Sequence, residues 1–172
     1  LQATFHWLRG SLTGAWRVLT TWQTLHPYEA YQPCPALVAR AAIVLALSWN
    51  WLRVALVISS SFFGLLRLGE AQGLAPRSYS LPRDHGILQA VFIGIPKEFV
   101  KSRRRSVRRQ HAKIDEPPLI KVYEKVIPRL TSGDALWRCS KATFTKRWKT
   151  LLAALGDGLS GLPAGGLRGG GA

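Results

Sequence analysis

The chain has few of the residues that staple or metallate a small protein. Cys34 and Cys139 are its two cysteines in 172 residues. Without a C-x-x-C spacing they indicate neither a disulfide framework nor a zinc site, and a reducing compartment fits best. Acid is scarce too: 9 Asp plus Glu stand against 24 Lys plus Arg, a net charge of +15. A charge of that size repels itself in a compact state unless a polyanion is near, so nucleic acid or an anionic membrane is the natural partner. His6, His26 and His85 show no ligand spacing, and His111 reads as structural at a strand-like position. Methionine is absent even at the first position, and the chain closes on Gly169, Gly170, Gly171 and Ala172, so it reads as a fragment open at both ends. What is present is apolar: a 47% hydrophobic content can bury the core of one ordinary domain, which argues against disorder of the whole chain.

Periodicity divides the chain. In residues 1–25, Phe5, Leu8, Leu12, Trp16, Leu19 and Trp22 recur at helical spacing on one face, which Gly10 and Gly14 weaken. Pro27, Pro33 and Pro35 break any helix, so residues 26–35 read as an extended linker and the main domain starts near Pro35. Residues 36–71 are strongly apolar. The runs 41–52 and 54–66 each fall short of the ~20 residues that span a bilayer. Joined into one span, they would place Arg53 near mid-membrane at a cost of roughly 2.5 to 3.5 kcal/mol. Two buried core helices are the cheaper reading, and a membrane hairpin is its rival.

Farther on, Gly73, Pro76, Ser78, Ser80 and Pro82 make residues 72–84 a loop with a brief strand at 79–81. The β-branched and aromatic run 88–95 predicts a strand ended by Pro96. A basic stretch, 97–113, follows. Gln110, Ala112 and Ile114 can face one way as a second strand, which leaves residues 97–105 as the tip of a hairpin. Asp115, Glu116, Pro117 and Pro118 look like a helix start, with a short helix over 119–127 that Pro128 ends. Beyond a turn at 131–134, Ser140 is placed to cap a helix through Leu155, with Phe144, Trp148, Leu151, Leu152 and Leu155 on one face. Gly156, Gly158 and Gly161 stop it. Trp49, Trp51, Trp137 and Trp148 read as core rather than as base-stacking platforms. The tail is Gly-rich, but Leu167 and Arg168 are not what a flexible linker usually contains.

Two patterns carry chemistry. Arg67 and Glu70, three apart at the end of an apolar helix, share one helical face and are expensive there unless they are held or aimed at a ligand. They form either an internal ion pair that closes the helix end or a phosphate-binding arginine steadied by its neighbouring acid. The run Lys101, Arg103, Arg104, Arg105, Arg108 and Arg109 is either a solvated basic face or a grip on a DNA backbone, one whose affinity falls steeply with salt and carries little sequence choice. Lys141, Lys146, Arg147 and Lys149 extend the basic surface.

The stretch Gly64-Leu65-Leu66-Arg67-Leu68-Gly69-Glu70 resembles a motif of the tyrosine recombinase (phage integrase-type) family, in which an apolar helix runs into Thr-Gly-Leu-Arg-x-x-Glu. This chain has one residue more between Gly and Arg. The order downstream is similar as well. The family continues with a β-hairpin whose turn carries a catalytic lysine, then helices and a His-x-x-Arg motif, and finally a His or Trp and the tyrosine nucleophile. Residues 90–114 correspond to the hairpin, and Pro96-Lys97 with the arginine run resembles the versions in divergent eukaryotic mobile elements. Lys97 is the first candidate for the catalytic lysine and Lys101 the second. Gly165-Gly166-Leu167-Arg168 matches the second motif with Gly165 in the histidine's place, a departure that bears on proton transfer. Tyr28, Tyr31, Tyr79 and Tyr123 all precede Arg168, so none stands where the family has its nucleophile.

The resemblance, which covers 35–172, implies a mainly α fold with a small antiparallel β-hairpin or sheet (α+β), like the family's catalytic core. Residues 1–34 would be the end of an N-terminal DNA-clamping domain and its linker. It implies DNA strand exchange or integration for a mobile element through a 3′-phosphotyrosine, with Arg67, Lys97 and Arg168 catalytic and Glu70 and Gly165 beside them. In that chemistry two arginines stabilise the charge that builds on the phosphate, so neither a metal nor another cofactor is needed. The partner would be double-stranded DNA in the nucleus, with no membrane and no small-molecule cofactor, and a homo-oligomer on the DNA is left open. The chain as it stands is expected not to complete the reaction. The alternatives are a non-catalytic DNA-binding relic and a basic membrane-associated protein anchored by residues 41–66.

Overall fold

The computed structural model describes residues 14, 17, 18, 21, 32–86, 89–96, 110–131, 133 and 135–171. The chain divides into two compact units, Leu1–Ala30 and Tyr31–Ala172. In the first, Gly14, Arg17, Val18 and Thr21 are helical. The apolar positions expected on that helix, Phe5, Leu8, Leu12, Trp16, Leu19 and Trp22, lie outside the described residues.

The second unit is mainly helical with one small antiparallel sheet. Its first two described helices are α1 (Ala36–Ser48) and α2 (Leu52–Phe62). Between them the chain turns through Asn50 in the left-handed region, at φ 57°, a conformation Asn tolerates better than most residues. Every residue of α2 from Val54 to Phe62 is buried, which makes it the central helix of the core. Among the described residues no helix is long and apolar enough to cross a membrane. Arg53 is not a mid-membrane charge: its Nη1 donates to the carbonyl oxygens of Ala135 and Leu136 at 2.9 and 3.2 Å.

The apolar run predicts that α2 continues to Leu66; it stops at Phe62. A Cβ on Gly64 would lie 2.6 Å from the Ser60 carbonyl oxygen, so the turn needs glycine there. Leu65 then takes a left-handed φ of 54°, a conformation that costs an L-residue roughly 1–2 kcal/mol. The expected loop over 72–84 is also more regular than the sequence suggests. It follows a short helix, α3 (Leu68–Gly73), and holds a 3₁₀ turn at Pro76–Ser78, strand β1 (Tyr79–Ser80) and a single-turn helix, α4 (Pro82–His85).

Strands β2 (Val91–Ile95) and β3 (Gln110–Ile114) form the expected hairpin, and β2 pairs with β1 on its other edge. The register is Val91 opposite Ile114, Ile93 opposite Ala112 and Ile95 opposite Gln110. Side chains alternate across a strand, so Tyr79, Val91, Ile93 and Ile114 are buried on the inner face. Ser80, Phe92, Gly94, His111 and Lys113 occupy the alternate, outer positions.

Helix α5 (Pro117–Val126) starts on its prolines as expected, but Glu116 at the N-cap pairs with Arg40 at 2.8 Å instead of capping. Helix α6 (Lys141–Leu155) is capped as predicted, Ser140 Oγ accepting from the Thr143 N–H at 3.2 Å. Phe144, Trp148, Leu151 and Leu152 are buried along it. Trp137 and Trp148 are core, whereas Trp49 is 38% exposed, a departure from the expectation for all four indoles. The cause is its place on the α1–α2 corner, where it meets Trp51 edge-on at 5.0 Å between ring centroids.

The glycine-rich tail is a docked segment. Trp148 Nε1 donates to Leu162 O at 2.9 Å, and the Cys34 N–H to Gly166 O at 3.0 Å. Any Cβ on Gly166, Gly170 or Gly171 would overlap a backbone carbonyl oxygen, of Gln32, Cys34 and Phe62 respectively. Glycine is what lets three backbones meet there. The last short helix, α7 (Leu167–Gly170), thereby lies against α2 with Leu167 fully buried. Residues 32–35, expected as free linker, are part of this joint, and burial pushes the Cys34 thiol up to about 11.

Candidate functional site

Three segments remote in sequence meet at a cleft of about 540 Å³: the turn after α2, strand β3 and the start of α7. Arg67, Glu70, Gln110, His111, Lys113 and Arg168 supply its polar lining.

Arg67 is the N-cap of α3, not the end of a long helix. Its own N–H donates to Glu70 Oε2 at 2.7 Å, and its Nη1 to Glu70 Oε1 at 3.3 Å. The carboxylate thus stabilises the helix start and holds the guanidinium at once. The pair is not internal, as one reading of the sequence has it: the Arg67 side chain is 51% exposed and Glu70 11%. Its remaining guanidinium N–H groups meet no acceptor among the described residues. A pair in this setting adds little to stability, so its consequence is orientation.

Arg168 is exposed on α7 and makes no ion pair or hydrogen bond among the described residues. What fixes it is the docked glycine segment on either side. Gly165 is exposed in the 3₁₀ turn before it, at Ala164–Gly166. With no side chain it brings no proton-transfer group to the cleft.

Strand β3 adds His111 and Lys113. His111, expected as structural, is exposed and lines the cleft, because it alternates with the inward-facing Ala112 and Ile114. That same alternation was the signal available in the sequence. Lys113 Nζ lies 3.0 Å from Asp115 Oδ2, and this hydrogen bond and charge lower the Asp115 pKa. Among the described residues, Arg67 and Arg168 line the cleft with one carboxylate, Glu70, and Lys113, paired with Asp115, lines it as well. The arrangement suits an anion with several oxygens: forked guanidiniums can each give two parallel hydrogen bonds to a phosphate. No three His, Cys, Asp or Glu side chains come together as metal ligands among the described residues.

The hairpin tip, with Lys97, Lys101, Arg103, Arg104, Arg105, Arg108 and Arg109, lies outside the described residues. Lys141, Lys146 and Lys149 are exposed along α6, but Arg147 is not part of that surface. Its guanidinium sits over the rings of Trp51 and Trp137, at 5.0 and 5.3 Å from their centroids. The described tyrosines stand apart from the cleft. Tyr123 OH bonds Ser59 and Ser60 Oγ at 2.8 and 2.9 Å, and Tyr79 OH bonds Ser60 Oγ at 3.0 Å. Burial pushes Tyr123 up to about 12 and Tyr79 higher than usual as well.

A scan against protein-family models finds no match to the chain, and searches of curated proteins and of solved structures find none either.

Proposed function

We propose that the cleft holds a phosphodiester of duplex DNA, as the phosphate-gripping part of a tyrosine recombinase-like strand-exchange domain. One observation carries the reading: Arg67 and Arg168, far apart in the sequence, line the same cleft beside the β2–β3 hairpin. Attack on a phosphodiester by a tyrosine oxygen builds negative charge on the non-bridging oxygens. The Arg67 guanidinium, held by Glu70, meets that charge from a set orientation, and the docked glycine segment sets where the Arg168 side chain starts. In such a reaction the tyrosine hydroxyl gives up its proton to water and its oxygen bonds to phosphorus, the bond from phosphorus to the 5′ oxygen breaks as that oxygen takes a proton from a hairpin lysine, and the reverse step rejoins the strand. Lys97 is our first candidate for that lysine and Lys101 our second. Tyr79 and Tyr123, buried and bonded to serines, are not the nucleophile.

The test is duplex binding by fluorescence anisotropy across a salt series. The reading expects affinity to fall steeply with salt, and Arg67→Ala and Arg168→Ala each to weaken binding about tenfold or more with an unchanged circular dichroism spectrum. Wild-type affinity in both variants would overturn it. A second reading, DNA binding without chemistry, is favoured by the bare Gly165. Reading the source transcript beyond Ala172 separates the two: an in-frame His or Trp followed by a tyrosine within a few dozen codons supports strand exchange, and a stop codon supports binding alone.

A further inference from the structure

A second cleft, about 420 Å³, lies on the outer face of the sheet and shares Ile95, Gln110 and His111 with the first. Its rim carries Arg77, Ser78, Ser80, Gln110 and His111. Tyr79 points into the core, so strand alternation turns Ser80 outward, and Ser78, half-buried at the end of the 3₁₀ turn before it, lines the cleft as well. Arg77 is exposed at the end of the 3₁₀ turn that leads into β1. Among the described residues, none of these five side chains makes a hydrogen bond or ion pair within the protein. Unspent donors therefore line the rim, and among the described residues no carboxylate lines the cleft.

The floor is low for a definite reason. Gly94 faces His111 across the hairpin, and a Cβ on it would come within 3.9 Å of the imidazole and 3.8 Å of the Ser78 carbonyl oxygen. With hydrogen there instead, the outer sheet face has a trough that runs from His111 to Ser78. At its His111 end it adjoins the cleft of Arg67 and Arg168, with which it shares Ile95, Gln110 and His111.

We infer that Arg77, Ser78, Ser80 and His111 form a second phosphate subsite, which takes a neighbouring phosphate of the DNA strand whose phosphodiester sits between Arg67 and Arg168. This inference rests on the reading of the first cleft as a DNA site. It makes the ligand a polynucleotide laid across the sheet edge, because a mononucleotide would fill one cleft and leave the other's donors unpaired. Two hydroxyls, an imidazole and one guanidinium are a donor set that positions a backbone without reading bases.

The experiment compares Arg77→Gln, which keeps a polar side chain but removes its charge, with Arg67→Ala on one duplex. Removing one phosphate contact lowers the slope of log affinity against log salt by about 0.9 and weakens binding uniformly across sequences. The expected result is that reduced slope and a roughly five-fold loss for Arg77→Gln. A set of duplexes, each with one neutral methylphosphonate, then maps the contact. Arg77→Gln should abolish the penalty at one phosphate, and Arg67→Ala at a different, nearby one. A normal affinity and slope for Arg77→Gln, with Arg67→Ala still impaired, would overturn the second subsite and leave the first standing. Coincident methylphosphonate positions for the two variants would overturn it equally. Wild-type binding by both would remove the DNA reading itself. Circular dichroism of each variant is the control for folding; Ser80→Ala removes a half-buried hydroxyl donor of β1 without touching charge, and its expected result is a smaller loss in the same direction.

Discussion

At the start of α2, Arg53 spends its guanidinium on the carbonyl oxygens of Ala135 and Leu136. Just past the other end of the same helix, Arg67 makes one short contact, to Glu70, and turns its other donors to a cleft. Burial, and then the neighbouring Arg138, lower the pKa of Arg53. In a chain of net charge +15, these two arginines show that charge alone does not mark a binding surface. What separates them is whether the backbone nearby offers acceptors. Arg147, stacked over Trp51 and Trp137, is a third case, in which indole faces take the cation.

The largest effect that would sharpen this contrast falls on the structural side. Trp148 is buried and pins Leu162, the start of the segment that places Arg168. We expect Trp148→Ala to cost about 3–5 kcal/mol in chemical denaturation and to lower DNA affinity as Arg168 loses its support. Next comes Arg53→Ala, which leaves two carbonyl oxygens without their donor. Its expected cost is about 1–3 kcal/mol, with DNA affinity of the folded protein unchanged by anisotropy. Arg67→Ala is the converse, with stability within about 0.5 kcal/mol of wild type and affinity lost. If Arg67→Ala instead unfolded the protein at low denaturant, the contrast between the two arginines would collapse.

The smallest effect at neutral pH concerns the serine–tyrosine cluster behind the site. Tyr123 is held near 12 against an ordinary value of 10.0, so the unfolded chain gives up that proton first as the solution turns alkaline. The stabilisation is therefore complete below pH about 10 and is lost as pH rises toward 12. Tyr123→Phe should reduce the loss of melting temperature over that window, and should cost about 1 kcal/mol at neutral pH through its missing hydrogen bonds. An unchanged alkaline profile would show that other groups govern it.

Where a local rule decides the structure, the sequence was legible. Ser140 and the spacing of Phe144, Trp148 and Leu151 are enough to read α6, and alternation is enough to read β3. The end of α2 was not legible, because nothing in Leu65-Leu66 announces a left-handed leucine; the close approach of Gly64 to Ser60 creates it. The tail was opaque for a similar reason. Its glycines are required by the carbonyls of Gln32, Cys34 and Phe62, which are distant in sequence and invisible to any window. Of the candidate site, Arg67, Glu70 and Arg168 could be picked from pattern, and the structure brings all three to one cleft. His111 was assigned to the interior although its strand neighbours Ala112 and Ile114 already claimed that face. Lys113 was read as the end of a basic stretch, and its pairing with Asp115 depends on the turn that follows β3.

The central claim is that Arg67 and Arg168 act on one phosphate. A double-mutant cycle on duplex affinity, with Arg67→Ala, Arg168→Ala and the pair, tests it directly. Two groups that share a ligand atom are coupled by about 0.5–3 kcal/mol, whereas independent contacts add to within about 0.5 kcal/mol. The account predicts that the second substitution costs clearly less once the first is in place; full additivity would put the two arginines on separate phosphates and contradict it.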